Sequence, residues 1–239
     1  MEWFEEWFGE EYLRLYPHRD DSDAQGAVDL ISGAVGLKAG WQVLDVACGA
    51  GRHARAFVAA GARCFGLDLS APLLRLARQV TTAPLIRADM RQLPIRPASM
   101  HLTVNLFTSF GYFERDAEHM VALREMVGTV RPGGWFVIDF LNPAAVRSRL
   151  VPEETVERSG QIMRITRSVS PDGRYVCKSI RAGAQAGRQY MERVRLFEPR
   201  EISTMLEQAG VHLRHSFGDY EGSPLSPETP RTILLGQVP

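Results

Sequence analysis

The sequence predicts an α/β protein built on a doubly wound sheet of seven mostly parallel strands. From Trp41 onward, short apolar runs alternate with segments of helical periodicity, and this alternation is typical of right-handed crossovers between parallel strands. The chain has 239 residues, of which 45% are hydrophobic, so it can bury the core that a sheet covered on both faces requires. In such folds, ligands bind beyond the carboxyl ends of the strands.

The elements of the parallel part follow in order along the chain. Predicted strands comprise residues 41–46, 63–67, 85–88, 100–107 and 134–141, and helices lie between them at 52–60, 70–80 and 114–130. Ser70 is the predicted N-cap of the second helix, and the segment R-P-G-G ends the third. The repeated order of strand, helix and strand predicts a parallel arrangement for all five strands.

The last third of the chain has a different pattern. Residues 155–197 contain three β-type segments and the turn Pro171-Asp172-Gly173, which together predict an antiparallel insertion. A helix at 199–209 and strands at 211–217 and 231–235 complete the sheet with an antiparallel hairpin. We therefore predict an N-terminal helical cap at 1–40, a core at 41–143 and 198–239, and an insertion at 144–197 that shapes a substrate pocket.

An aromatic stripe at helical spacing precedes a second helix at 22–35. Its members are Trp3, Phe4, Trp7, Phe8, Tyr12, Leu15 and Tyr16, and Pro17 ends it. The stripe is either a buried helix face or part of a lid. Residues 1–23 hold eight carboxylates and two arginines, whereas 144–200 hold twelve basic and six acidic residues. These opposite charges favour a lid with Tyr12, Tyr16 and Arg19 near the ligand; solvated charged faces are the alternative.

Composition excludes several classes of partner. Lys plus Arg equals Asp plus Glu at 28 each, so no net field attracts nucleic acid or an anionic membrane. No apolar run approaches about 18 residues, and the acidic start MEWFEEWFGEE is unlike a targeting peptide. Cys48, Cys64 and Cys177 have neither disulfide nor metal-site spacing. We expect a cytoplasmic monomer or homodimer with reduced thiols and no metal.

The stretch VLDVACGAG, residues 43–51, carries the clearest functional signal. Asp45 lies at the end of a strand that should be buried, where a bare carboxylate would be strongly unfavourable. The small residues from Ala47 to Gly51 let the backbone turn tightly and approach a ligand with amides at a helix N-terminus. The carboxylate and the loop together predict a ligand with both cationic and hydrogen-bonding groups.

This stretch resembles the first motif, hydrophobic-D-x-G-x-G-x-G, of the class I S-adenosylmethionine (SAM) dependent methyltransferases, which have a Rossmann-like fold. Ala47 takes the place of the usual first glycine, which keeps the site small but restricts φ. The resemblance covers residues 41–141 and resumes at Pro199. The segment FGEEYLRLYPHRD also resembles that of many uncharacterised bacterial members. The resemblance implies a methyltransferase with SAM as cofactor and S-adenosylhomocysteine as product.

The later motifs imply the contacts of the cofactor. By the resemblance, Asp68 holds the ribose hydroxyls, and the side chain of Asp89 with the amide of Met90 holds the adenine. The segment NLFTSFG, residues 105–111, lies beside the methionine tail and the acceptor, and Asn105 offers its carbonyl. The full set of cofactor residues is Asp45, Ala47, Cys48, Gly49, Gly51, Asp68, Leu69, Asp89, Met90, Asn105, Leu106 and Phe107, with Tyr16 and Arg19 from the lid.

The segment after the fourth strand limits the chemical class of the methyl acceptor. Methyltransferases of this fold that act on adenine or exocyclic amines carry N/D-P-P-Y/F there, whereas this chain has NLFTSF. A small molecule is therefore the leading acceptor and a peptide the second. Phe110, Tyr112 and Tyr12 are the predicted pocket residues, and Tyr112 is the candidate catalytic contact to the acceptor. Asp139 is either a satisfied buried group or a pocket residue.

Methyl transfer from a sulfonium is an in-line displacement, so the protein mainly aligns the reactants and excludes water. A general base matters only for an acceptor that arrives protonated.

Two rival functions stay open. Residues 49–54 also satisfy the pattern G-x-G-x-x-A of NAD(P)-dependent oxidoreductases, although Asp45 would repel a pyrophosphate. A SAM-binding protein without catalysis would share the binding motifs, and turnover separates it from an enzyme.

Overall fold

A computed structural model describes residues 3–9, 21–158, 161–182 and 189–239, which contain seven helices and eleven strands. The strands are β1 (Gln42–Val46), β2 (Arg63–Asp68), β3 (Leu85–Arg87), β4 (Met100–Asn105), β5 (Val130–Leu141), β6 (Glu153–Arg158), β7 (Gln161–Val169), β8 (Tyr175–Ala182), β9 (Gln189–Arg195), β10 (His212–Phe217) and β11 (Arg231–Gln237). The helices are α1 (Trp3–Trp7), α2 (Asp21–Val35), α3 (Arg52–Ala59), α4 (Ala71–Val80), α5 (Asp116–Gly128), α6 (Pro143–Arg149) and α7 (Pro199–Gln208).

Seven strands form the central sheet in the order β10-β11-β5-β4-β1-β2-β3. The pairings among β1 to β5 are parallel, and β11 is antiparallel to both β5 and β10. This arrangement confirms the predicted fold class. The strand order reverses between β1 and β4, so the carboxyl ends of these two strands flank the crevice where ligands bind in open α/β sheets.

Both faces of the central sheet are covered, as the alternation within β1 illustrates. Val43 packs with Phe57 of α3 on one face, and Leu44 packs with Leu123 of α5 on the other. All four side chains are fully buried. Neighbouring residues of a strand point to opposite faces, so two consecutive apolar residues are what a sheet between two helix layers requires.

Local signals placed the helices well, but two strand ends differ from the prediction. The predicted N-cap of α4 is confirmed, because the Ser70 hydroxyl accepts the N–H of Leu73 at 3.2 Å. The sequence predicts that β4 reaches residue 107, but it ends at Asn105 because the chain then turns into the left-handed region. β5 begins at Val130 rather than 134, since Val130 already pairs with Met100 of β4, and the segment R-P-G-G lies in the register shift before Trp135 pairs with Leu102.

Strands β6 to β9 form a separate antiparallel sheet, called the second sheet below. The three predicted segments correspond to β7, β8 and β9. The sequence prediction missed β6 and the short helix α6. The β6 segment EETVER is rich in glutamate, which is depleted in strands. Its ion pair between Glu153 and Arg164, at 2.6 Å, forms only once β7 lies beside it.

Helix α1 lies between the two sheets. Phe4 packs on Phe113 of the core, with ring centroids 5.8 Å apart, and Trp7 packs on Tyr190 of β9 at 4.8 Å. Phe4 and Trp7 are both buried, so the start of the aromatic stripe joins the second sheet to the core. The other predicted lid residues, Tyr12, Tyr16 and Arg19, lie outside the described residues together with Leu15.

Candidate active site

The loop between β1 and α3 turns tightly through the left-handed region. Ala47, Gly49 and Gly51 have φ values of 59°, 56° and 82°. For an alanine this conformation costs about 1–2 kcal/mol, so the predicted turn forms with a strained residue at position 47. A Cβ on Gly51 would lie 3.0 Å from the Cβ of Ala77, whereas one on Gly49 would meet no atom of the described residues within 4 Å. The loop is therefore packed at Gly51 and open above Gly49.

Asp45 is buried near the end of β1 with an incomplete set of partners. The backbone N–H of Ala54 donates to the carboxylate, but no donor among the described residues reaches Oδ2. Burial and the charge of Asp68 raise the pKa of Asp45 to about 8, although the charge of Arg52 opposes this shift. A cationic group of a ligand would therefore complete the site and favour the ionised carboxylate.

Asp68 is fixed by two backbone amides at the end of β2. The N–H groups of Gly49 and Ser70 donate to its Oδ2 and Oδ1, each at 2.8 Å. Burial raises the pKa of Asp68, and these hydrogen bonds oppose the shift. Burial and the two nearby carboxylates raise the pKa of the Cys48 thiol, which agrees with a packing residue rather than a nucleophile. The acidic residues of two separate motifs thus meet at one edge of the sheet.

A pocket of about 260 Å³ opens beside Asp68. Phe4 of α1 and Phe8 just after it line this pocket. The hydroxyl of Ser70 donates to the backbone carbonyl of Phe8 at 2.5 Å, so the N-terminal segment is attached to the carboxyl edge of the sheet. The remaining lining residues are Leu69, Ser70, Ala71, Pro72 and Arg87.

Asp89, two residues after β3, is bound by Arg91. The Nη2 atom of Arg91 lies 2.6 Å from Oδ2, and the backbone N–H of Arg91 donates to Oδ1 at 2.8 Å. Burial acts to raise the pKa of Asp89, but the hydrogen bonds from Arg91 outweigh it and lower the pKa. Arg91 also pairs with Glu118 of α5 at 3.1 Å. Asp89 is therefore an ionised, anchored carboxylate, and Met90 next to it is half-buried.

The segment after β4 faces the loop after β1. The Nδ2 group of buried Asn105 donates to the carbonyl oxygen of Val46 at 3.1 Å, while its Oδ1 has no donor among the described residues. Leu106 is buried in the core. Phe107 is partly exposed, and the guanidinium of Arg52 lies 4.0 Å from the centre of its ring. These contacts bring the predicted cofactor residues of β1 and β4 together.

The predicted acceptor residues Tyr112 and Phe110 have different surroundings. The ring of Tyr112 lies 5.5 Å from the rings of both Trp3 and Phe8, measured between centroids. Phe110 is 1% exposed, and its ring packs against His119 at 5.2 Å. Tyr112 therefore lies where the N-terminal segment meets the loop after β4, whereas the ring of Phe110 lies in the core.

Asp139 of β5 is a satisfied buried group. Its Oδ1 accepts the Nε–H of Arg231 at 2.7 Å, and its Oδ2 accepts the Tyr220 hydroxyl at 2.7 Å and the N–H of Phe107 at 2.8 Å. The sequence analysis did not single out Tyr220 or Arg231. No local motif marks either residue, and only the antiparallel pairing of β11 with β5 brings Arg231, opposite Leu141, to this edge.

Three further findings concern the described part of the chain. Its cysteines, Cys48, Cys64 and Cys177, are free thiols. Within that part, no three His, Cys, Asp or Glu side chains lie together as a metal site would require. No helix of the described ranges is long and apolar enough to cross a bilayer.

Comparison with known proteins agrees with this geometry. Residues 43–134 match a protein family described as a methyltransferase domain. The chain is 31% identical over 130 residues to the dTDP-3-amino-3,4,6-trideoxy-alpha-D-glucopyranose N,N-dimethyltransferase of Streptomyces venezuelae, covering 53% of this chain and 54% of the relative. It is also 31% identical over 153 residues to the demethylmenaquinone methyltransferase of Mycobacterium sp. (strain KMS), covering 62% and 64%. The matches thus span between half and two thirds of these curated relatives.

The fold is that of a solved methyltransferase. The CcbJ methyltransferase from Streptomyces caelestis superimposes with a TM-score of 0.79 over 96% of both chains, at 19% identity, a likeness that establishes the fold. The matched residues 43–134 include the loop after β1 and the ends of β2, β3 and β4, which are the segments that form the site. Family match and fold agree: residues 43–134 match a methyltransferase domain, and the chain has the fold of a solved methyltransferase.

Proposed function

We propose that this protein transfers a methyl group from SAM to a small-molecule acceptor by in-line displacement. The observation that carries the proposal is the buried Asp45 carboxylate, whose Oδ2 has no donor among the described residues, at the base of a loop that is open above Gly49. A positively charged ligand would offset the cost of burying this carboxylate. Bound SAM supplies a methyl group on a positively charged sulfur, and its amino group is a second cation.

The chain has a candidate partner for each part of this cofactor. Asp68, oriented by two amides, accepts hydrogen bonds from the ribose, and Asp89 with the N–H of Met90 binds the adenine. Asp45 and the buried Oδ1 of Asn105 accept from the methionine part. The other residues of the proposed set contribute backbone and apolar contacts or act from the lid: Ala47, Cys48, Gly49, Gly51, Leu69, Leu106, Phe107, Tyr16 and Arg19.

On the acceptor side, we assign the main polar contact to Tyr112. Trp3 and Phe8 pack around its ring, and Tyr112 is half-buried. Phe110 supports the loop from the core, and Tyr12 belongs to the lid. The role of these residues is to align the acceptor atom with the methyl group, which can contribute several orders of magnitude in rate without a covalent intermediate. A base is required only if the acceptor arrives protonated.

The names of the relatives support a small molecule as the acceptor class. One is named as an N,N-dimethyltransferase of an amino sugar nucleotide, and the other as a methyltransferase of demethylmenaquinone. Both acceptors are small molecules, which favours this class over a peptide. An amine and a quinone differ in the atom that would accept the methyl group. Amines and quinols should therefore both be tested as acceptors.

The remaining parts of the proposal concern organisation and partners. We assign residues 1–40 as a helical cap whose first part closes over the cofactor, and 144–197 as the insertion that shapes the acceptor pocket. The contacts of α1 with both sheets support this division. The balanced charge, 28 basic against 28 acidic residues, supports the absence of nucleic-acid and anionic-membrane partners. We further assign the protein as a cytoplasmic monomer or homodimer.

Thermal denaturation with SAM, S-adenosylhomocysteine and NAD tests the proposal. At about 100 times its Kd, a ligand adds about 2.7 kcal/mol, which corresponds to a Tm shift of about 5–10 °C for a chain of this size. We expect this shift with SAM and none with NAD; the opposite result would assign the chain to the dinucleotide oxidoreductases. Formation of S-adenosylhomocysteine from a panel of amines and quinols then separates an enzyme from a SAM-binding protein.

A further inference from the structure

Two consecutive residues after β4 hold an unfavourable backbone conformation. Phe107 and Thr108 have φ values of 56° and 60°, in the left-handed region that favours glycine. Each such residue costs about 1–2 kcal/mol, and this strain persists only where the surrounding structure holds it. The contacts around the turn identify what holds it.

Asp139 binds the turn with both its side chain and its backbone. Its Oδ2 accepts the N–H of Phe107 at 2.8 Å, and its backbone oxygen accepts the N–H of Thr108 at 2.9 Å. The amides of both strained residues are therefore bound to a single residue of the neighbouring strand β5. Loss of these bonds would leave the turn free to relax.

Two side chains from the end of the sequence hold Asp139 in turn. The Tyr220 hydroxyl donates to Oδ2 and the Nε–H of Arg231 donates to Oδ1, both at 2.7 Å. Arg231 also donates from Nη2 to the hydroxyl of Thr108 at 3.2 Å, so it contacts the turn directly. Asp139 is 1% exposed. A buried ion pair of this kind contributes little net stability, because the cost of burying two charges offsets their attraction. Stability alone therefore does not account for the cluster.

The turn is connected to the cofactor loop through the ring of Phe107. The guanidinium of Arg52, which follows Gly51 as the first residue of α3, lies 4.0 Å from the ring centre. Arg231 lies 5.3 Å from the same ring centre. Arg52 also acts electrostatically on Asp45. A change in the turn would therefore reach the carboxylate that completes the cofactor site.

We propose that Asp139, Tyr220 and Arg231 form a clamp that positions the turn at Phe107 and Thr108, and through Phe107 the Arg52 end of the cofactor loop. We call this set the Asp139 clamp. Its members are positioning residues, because their hydrogen bonds hold the turn and they act through it. All three lie outside the matched residues 43–134. The proposal rests on the proposed methyl transfer and extends it to residues that the motifs do not contain.

Amide hydrogen exchange tests whether the clamp holds the turn. Tyr220→Phe removes one hydroxyl and leaves the pair of Asp139 with Arg231 intact, so the fold should be preserved. We expect the amides of Phe107 and Thr108 to exchange at least about 10-fold faster in this variant, because one of the bonds that fixes their acceptor is lost. Tyr175→Phe, at a buried tyrosine of β8, is the matched control and should leave both rates unchanged.

Cofactor affinity tests whether the clamp serves the site. Calorimetry with SAM should give a Kd about 3- to 10-fold weaker for Tyr220→Phe and about 10- to 100-fold weaker for Asp139→Asn, at a temperature where each variant is folded. Thr108→Gly provides a rescue, because glycine adopts the left-handed turn without cost. In the Tyr220→Phe background it should bring the Kd to within about twofold of Thr108→Gly alone.

The outcomes separate this proposal from the proposed function. A wild-type chain that binds no SAM would end the proposed function, while the exchange rates would still decide whether the clamp holds the turn. SAM binding that is unchanged in Tyr220→Phe, with only a lower Tm, would reduce the clamp to a structural feature and overturn the proposal. If Asp139→Asn does not fold, Tyr220→Phe and its rescue by Thr108→Gly decide whether the clamp serves the cofactor site.

Discussion

The carboxyl edge of the central sheet and the second sheet are held together by different interactions. At the edge, buried carboxylates such as Asp68 and Asp139 accept backbone N–H groups of neighbouring loops. In the second sheet, partly exposed pairs such as Arg167 with Glu154, at 2.5 Å, link adjacent strands. A buried acceptor is costly to lose, whereas an exposed pair contributes little. Substitutions at the edge should therefore cost more stability than substitutions of the exposed pairs in the second sheet.

The two regions also differ in how they bury apolar side chains. The central sheet is covered on both faces, whereas in the second sheet Met163, Ile165 and Ile180 of the inner face pack with Trp7. On its outer face, Met191 is 61% exposed. The second sheet thus depends on α1 for part of its core, which couples this sheet to the N-terminal segment.

The largest effect expected from this comparison is that of Asp68→Ala. The substitution removes the charge-assisted hydrogen bonds that we propose Asp68 makes to the ribose, and it leaves the amides of Gly49 and Ser70 without their acceptor. SAM affinity should fall by about 30- to 1000-fold, or about 2–4 kcal/mol. Asp172→Ala, at an exposed carboxylate in the β7–β8 turn, is the control and should bind SAM as the wild type does. Equal affinity of both variants by calorimetry would show that Asp68 does not hold the ribose.

A strong pH dependence of SAM affinity is the second expected effect. The pKa of Asp45 is raised from 3.8 to about 8 by burial and the neighbouring Asp68, so the free protein carries a proton there at neutral pH. A cationic ligand binds best to the ionised form, so binding should release this proton. Affinity should therefore rise about 20-fold between pH 6 and pH 7.5.

The raised pKa of Asp45 also predicts how the stability of the ligand-free protein depends on pH. A carboxyl group whose pKa is raised on folding stabilises the fold below pH 3.8, and this contribution is lost as the pH rises toward about 8. Asp45→Asn should abolish the pH slope of SAM binding and flatten the stability profile between these values. Calorimetry in buffers with different ionisation enthalpies measures the released proton, and a proton count of zero at pH 6.5 would contradict the assignment.

A smaller effect is expected from the N-terminal segment, which connects the two regions. Deletion of residues 1–19 removes Phe4 and Phe8 from the pocket beside Asp68, and SAM affinity should fall about 10-fold through lost apolar contact. Phe8→Ala provides a milder version that keeps the helix. A folded truncation that binds SAM as tightly as the full chain would exclude a lid over the cofactor.

The smallest effect is expected on the surface of the second sheet. Arg164→Ala removes the exposed ion pair with Glu153, and the Tm should change by no more than about 4 °C, since such pairs contribute little in water. SAM affinity should be unchanged. A large loss of affinity would mean that the second sheet acts on the cofactor edge, and would remove the contrast between the two regions.

The sequence by itself determined the central sheet and the acidic residues of its edge. Apolar runs and helical periodicity are local patterns, so they predicted β1 to β5 and the cap at Ser70 to within a few residues. Asp45 and Asp68 could be predicted to lie close together, because each lies at or near the carboxyl end of a strand and parallel strands bring these ends to the same edge of the sheet. The roles predicted for individual residues at the carboxyl edge of the sheet came only from the resemblance to a methyltransferase family.

Tertiary structure alone decided the features that join distant parts of the chain. Tyr220 and Arg231 lie 81 and 92 residues from Asp139, and they meet it only because β11 pairs antiparallel with β5. Helix α1 likewise reaches Tyr190 of β9 across most of the sequence. Local periodicity predicts which face of an element is apolar, but it does not specify which distant element covers that face. Pairing and packing between distant segments make that choice, because the free energy of burial depends on the assembled surfaces.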